Sequence, residues 1–168
     1  FVTVGGAIAA DVHGKNHHHD GSFGAYVDWL ELIIADGHSI RVSPDHRPEL
    51  FWATVGGMGL TGMISRAAIR LLPIQSSQMK VLTTRHSDLD DLMATMIERD
   101  KTHRYTVAWV DTLASGATLG RSILMAGDHA DVDGLPKRSR KSCLAYDPKE
   151  RLAVPVWANL GLVKQSTI

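Results

Sequence analysis

Residues 5–18 read Gly-Gly-Ala-Ile-Ala-Ala-Asp-Val-His-Gly-Lys-Asn-His-His, the densest concentration of chemically useful types in the chain. Adjacent Gly5 and Gly6 let backbone approach a flat or charged ligand, because no Cβ intervenes and positive φ is accessible. The small apolar run that follows keeps the surface thin, and Asp11, His13, Lys15 and Asn16 then supply polar groups. Such a pattern suits a large planar or phosphorylated cofactor. It suits equally a strand that runs into a surface loop. Lys15 carries a compact point charge with three donors, able to anchor a phosphate or a sugar. Its alternative is a solvated loop lysine.

His13, His17, His18 and His19 with Asp11 and Asp20 raise the question of a metal. Closed metal sites space their ligands so that the chain curls around the ion. Three consecutive histidines cannot all point inward from an extended loop, so no metal site is expected. His13, beside a glycine, is better placed for contact with a cofactor ring, or for pH-sensitive hydrogen bonding. A second glycine cluster, Gly57-Met58-Gly59-Leu60-Thr61-Gly62, is a literal G-x-G-x-x-G. A dinucleotide fingerprint needs a strand before it and a helix after it. Here a helix is expected before and a strand after, so that reading fails and leaves either a backbone contact to a cofactor or a tight connector. There is no G-x-S-x-G, and Cys143 sits in a basic polar loop, so nucleophilic catalysis has no local support. Trp109 reads as core or as the flat wall of a pocket, with core favoured by its apolar neighbours.

The elements that must position these residues follow from periodicity. Residues 1–10 read as a β-branched strand ending at the glycines, and 11–24 as loop. Residues 26–43 predict a hairpin turning at Asp36-Gly37, with its first strand buried on both faces. Pro48-Glu49 opens a short helix, and Ile64 to Leu72 alternates as a strand. Pro73 and the polar run 75–78 mark a boundary. Beyond it, Met79–Thr84 predicts a strand, and Ser87 with Asp90 a helix start. Leu89, Leu92, Met93, Met96 and Ile97 predict an amphipathic helix whose stripe is core. Residues 105–113 and 119–126 predict two more strands. The order implies an α+β fold, with helices on one face of an antiparallel sheet. The basic run Lys137-Arg138-Ser139-Arg140-Lys141 reads as a solvated loop, and the last twenty residues show no clear element.

Eighteen Lys and Arg balance eighteen Asp and Glu, which gives no global case for nucleic acid or an anionic membrane. A single cysteine excludes an internal disulfide. No apolar run reaches the length of a membrane-spanning helix. The chain starts at Phe1 with no charged leader, and it reads as a piece of a longer protein.

Residues 2–18 with Gly21-Ser22-Phe23-Gly24, and Glu49 to Gly57 with Gly59-Leu60-Thr61-Gly62, closely resemble the flavin-dependent decaprenylphosphoryl-β-D-ribose 2-oxidases of actinobacteria. Ala108-Trp109 with Asp111, and Leu119-Gly120-Arg121, resemble them more weakly, and the likeness fades after about residue 145. The wider group is the vanillyl-alcohol-oxidase-like flavoproteins. That resemblance implies the second part of a PCMH-type FAD-binding domain over 1–74, then the start of an α+β substrate domain with an antiparallel sheet over 75–168. It implies FAD held non-covalently, with Thr3, Val4, Gly5, Gly6, Ala10, Asp11, Val12, His13 and Ile64 against the cofactor. Lys15 and Trp109 would face substrate. The implied reaction oxidises the ribose 2-hydroxyl of a polyprenyl-phosphate sugar to a ketone, and a partner keto-reductase completes epimerisation to the arabinose donor for cell-wall arabinan. The resemblance further implies peripheral membrane association at the cell envelope. Catalytic residues are expected outside this chain, which alone would not hold FAD well. Val107 and Ala10 depart from the small polar residue and the cysteine common in the family. The alternatives are a sugar-alcohol or sugar-lactone oxidase of the same superfamily, and a non-catalytic binding module derived from the fold.

Overall fold

The structure, a computed structural model, describes residues 2–147; the expectation for the last twenty residues lies outside them. The architecture is α+β, with two three-stranded antiparallel sheets in two compact units, residues 1–73 and 74–168.

The first unit begins with a departure from the sequence expectation. Val4–Ala9 is a helix, α1, not a strand. The Thr3 hydroxyl accepts from the Gly6 N–H at 3.1 Å and so caps it. Ala7, Ala9 and Ala10 favour helix, and Ile8 becomes fully buried. The cap and that burial outweigh the β-branched Val2-Thr3-Val4. Residues 11–24 are also more ordered than a loop: His17–Asp20 forms one helical turn, α2, and a 3-10 turn starts at Phe23.

Val27–Ile33 (β1) pairs antiparallel with Ser39–Val42 (β2), which is the expected hairpin. Met63–Ile69 (β3) pairs along the other edge of β1, with register shifts that break the alternation of β1. Val27, Leu30, Leu32 and Val42 are buried together with Ile8 and with Phe51 of α3, Pro48–Thr54. Each such side chain contributes about 1.5–3 kcal/mol. Burial on both faces of β1 is not found. Trp29 and Ile33 are half-buried, and Trp29 is covered by the Arg41 guanidinium 3.8 Å from its ring centre.

The second sheet has the order β4-β6-β5, from Met79–His86 (β4), Tyr105–Val110 (β5) and Ser122–His129 (β6). β5 stops short of Leu113 because the Asp111 carboxylate accepts the N–H groups of Leu113 and Ala114 and turns the chain. Helix α4, Leu89–Asp100, is capped by Asp88, not Ser87. Asp88 accepts from the Asp91 N–H at 2.9 Å, while the Ser87 hydroxyl donates to Asp88. The expected core stripe is also corrected. Only Leu92 of α4 is buried; Leu89, Met93 and Ile97 are exposed. Leu124, Ala126 and Thr106 of the sheet are buried as well. The basic run holds a helical turn, α5, Lys137–Arg140.

Candidate functional site

Both glycine clusters lie in the first unit, and backbone hydrogen bonds join them. The Gly56 N–H donates to the Ile8 carbonyl at 3.1 Å and the Met58 N–H to the Ala9 carbonyl at 2.8 Å. The turn that makes this possible is left-handed at Gly56 (φ 76°), Met58 (φ 53°) and Gly59 (φ 81°). Methionine at such a φ is uncommon, and strained backbone of this kind concentrates at ligand-binding sites. Between the two clusters lies a groove of about 370 Å³. Gly5, Gly6 and Ala9 of α1 form one wall; Met58, Gly59, Gly62, Met63 and Ile64 form the other. A Cβ built on Gly5 or Gly59 meets no atom within 4 Å. The groove is thus lined by glycines with an alanine, two methionines and an isoleucine, and open space lies beside Gly5 and Gly59.

The residues singled out from sequence fall into three groups. Gly5, Gly6 and Ile64 line the groove. Thr3, Val4, Ala10 and Val12 do not; Thr3 caps α1, Ala10 closes it, and Val12 pairs its carbonyl with the Phe23 N–H at 2.9 Å. Asp11, expected at a cofactor, spends both carboxylate oxygens inside the protein. One accepts the Gly24 N–H and the other the Ser22 hydroxyl, each at 2.8 Å. Asp11 itself has φ 42°, so it is the staple that folds residues 11–24 back onto α1. His13 is exposed, with its ring 4.9 Å from that of His17. Lys15 is exposed in the turn between them. Ala9, Met58, Gly59, Gly62 and Met63 were not singled out as contacts. The glycine motif is the signal available for Gly59 and Gly62, but nothing in their own chemistry marks the two methionines.

Trp109 lies in the second unit on β5, opposite Ile123 of β6. It is 68% exposed, which overturns the reading of it as core. Alternation places Val107 and Trp109 on one face of β5, where their β6 partners are Met125 and Ile123. The segment after it is braced by Arg121, whose guanidinium donates to Asp111 at 2.6 and 2.7 Å. The Leu113 N–H and this guanidinium together hold the Asp111 carboxyl below its ordinary value. Among the described residues, no group of three or more His, Cys, Asp or Glu could hold a metal ion.

No family model matches the chain. The resemblance read from the sequence is found again among known proteins. An uncharacterized protein in the mprA 5′ region of Streptomyces coelicolor is 44% identical over 166 residues, covering 99% of this chain and 44% of its own length. The decaprenylphosphoryl-beta-D-ribose oxidase of Mycolicibacterium smegmatis is 39% identical over 170 residues, covering 99% of this chain and 36% of its own length. Cytokinin dehydrogenase 9 of Oryza sativa subsp. japonica is 32% identical over 112 residues, 65% of this chain and 21% of that enzyme. The chain spans less than half the length of the first two.

Proposed function

We propose that this chain is part of an FAD-dependent oxidoreductase of the vanillyl-alcohol-oxidase-like group, and that the parent enzyme oxidises the 2-hydroxyl of decaprenylphosphoryl-β-D-ribose. The observation that carries the cofactor reading is the groove. Four glycines line it, and open space lies where a Cβ would stand on Gly5 or Gly59. Its volume lies near the lower end of the range for small-molecule pockets, about 300–1,000 Å³. It therefore suits part of a large cofactor, the remainder being held by sequence beyond this chain. FAD, when bound, supplies the two-electron acceptor for the alcohol. The chain's own residues bind and orient. Gly5, Gly6, Gly59 and Gly62 offer backbone at close range, while Met58, Met63 and Ile64 offer apolar and polarizable contact to a ring.

The substrate half of the reading rests on the 39% identity to the Mycolicibacterium enzyme. In it, Lys15 anchors the phosphoryl sugar and Trp109 forms a flat wall. Residues 1–74 act as the latter portion of a PCMH-type domain and the rest as the start of a substrate domain. The keto product passes to a partner reductase, at the cell envelope.

The test is spectroscopic. The purified full-length protein should be yellow, and its flavin should be released by acid precipitation, as expected for non-covalent binding. Prenyl-phosphoryl ribose should bleach it; free alditols should not. A colourless protein sinks the oxidase reading, and bleaching by alditols alone moves the substrate to a free sugar alcohol. Lys15→Ala should lower turnover with flavin content unchanged.

A further inference from the structure

Lys15 carries the substrate half of the proposed function, and it stands exposed in the loop between α1 and α2. Among the described residues no carboxylate pairs with it. A long, solvated side chain of this kind loses freedom when it meets an anion, so a fixed backbone beneath it favours binding. That backbone is held on both sides. Before Lys15, the Gly14 carbonyl accepts the His17 N–H at 3.2 Å and the His17 Nδ1–H at 3.1 Å. After it, the Asn16 carbonyl accepts the N–H groups of His19 and Asp20 at 3.0 and 2.8 Å.

The side chains next to Lys15 continue the restraint. Asparagine just before a helix ordinarily caps it by accepting a backbone N–H. Asn16 stands at that position of α2 and makes no such bond; its Nδ2 donates instead to Asp20 Oδ2 at 2.7 Å. Its Oδ1 packs against Gly14, where a Cβ would come within 2.6 Å of it. The Asp20 side chain, only 10% exposed, also accepts at Oδ1 from the Tyr26 hydroxyl at 3.3 Å and from the His19 ring at 3.1 Å. Tyr26 is anchored in turn: its carbonyl accepts the Arg70 N–H at 2.8 Å, and the next residue, Val27 of β1, is buried. Hydrogen bonds thus run from the start of β1 through Tyr26, Asp20 and Asn16 to the backbone that bears Lys15. α2 buries no residue, so packing of an apolar core does not account for this arrangement.

We propose that Asp20 and Asn16 are positioning residues, which preset Lys15 to receive the phosphodiester of a phosphoryl sugar. The inference rests on the substrate reading of Lys15 given above. Asp20 acts through the bond to Asn16, and its contribution is preorganisation: the loop is already in the bound conformation when the anion arrives, so less freedom is lost on binding.

Calorimetric titration of the full-length, flavin-loaded protein tests it, with prenyl-phosphoryl 2-deoxyribose as the probe, since that sugar lacks the hydroxyl to be oxidised. Asp20→Ala should raise Kd about tenfold, the effect of one hydrogen bond to a charged group, with flavin content unchanged. In a Lys15→Ala background the same substitution should add nothing further, because a residue that acts through Lys15 has no effect without it. A merely structural Asp20 would weaken binding equally in both backgrounds. The exchange variant Asn16→Asp with Asp20→Asn, which reverses donor and acceptor, should restore most of the affinity. If Asp20→Ala does not fold, Asn16→Ala removes the same bond from its other end and decides. Undiminished affinity in these variants, or losses that add to that of Lys15→Ala, overturn the inference and leave the substrate reading standing. Unchanged affinity in Lys15→Ala overturns both.

Discussion

At the scale of single residues, Asp11 carries the sharpest lesson. An acid beside glycines and a histidine looks like a ligand group, yet its two oxygens close an internal turn through Ser22 and Gly24. Hydrogen bonds to a charged acceptor contribute about 1.5–3 kcal/mol each. Asp11→Ala should therefore lower stability by roughly 3 kcal/mol in a denaturant titration. Asp11→Asn should cost less, because asparagine tolerates positive φ and keeps one acceptor for the Gly24 N–H. Equal losses for the two variants would show that the carboxylate is not the staple. Thr3 teaches the same point: its hydroxyl accepts the Gly6 N–H and its carbonyl the Ala7 N–H, both within the start of α1.

At the scale of elements, the groove depends on the turn from Gly56 to Gly62. Gly59 has φ 81° and open space where a Cβ would stand. Gly59→Ala should cost about 1–2 kcal/mol for the left-handed backbone. It should also reduce flavin retained through gel filtration, since Gly59 lines the groove. Retention equal to the parent would place the cofactor elsewhere. Much of this layer was legible in the sequence. The hairpin of β1 and β2 announced itself through alternation around Asp36-Gly37, and α3 through Pro48 at its first turn. The helix α1 did not, because its β-branched residues are local while the burial of Ile8 that stabilises it is tertiary. Met58 and Met63 were invisible for the same reason: they reach the groove through a turn bonded to a helix far away in sequence. The stripe of α4 misled in the opposite direction, since amphipathic spacing shows which residues share a face and not whether anything covers it.

At the scale of the whole molecule, three carboxyls of the second unit are held below their ordinary value. The Asp91 N–H, followed by the Ser87 hydroxyl, holds Asp88 below its ordinary 3.8. The Leu113 N–H and Arg121 hold Asp111 down likewise. Burial pushes Asp128 up, but the Arg104 N–H and the His103 ring outweigh it. A carboxyl depressed in the folded state contributes stability above its unfolded value and loses it as pH falls through the folded one. The second unit should therefore weaken below pH 3.8. Amide dispersion of residues 79–129, followed by NMR, should shrink as pH falls below that value; dispersion that stays unchanged contradicts the assignment. One further consequence belongs to the bonds from Gly56 and Met58 back to Ile8 and Ala9. They close a loop of roughly fifty residues, whose entropic cost is met only once the hairpin and α3 between them have folded. A ligand held in the groove sees the native state alone, so loading the cofactor should raise the unfolding temperature in proportion to the logarithm of its concentration.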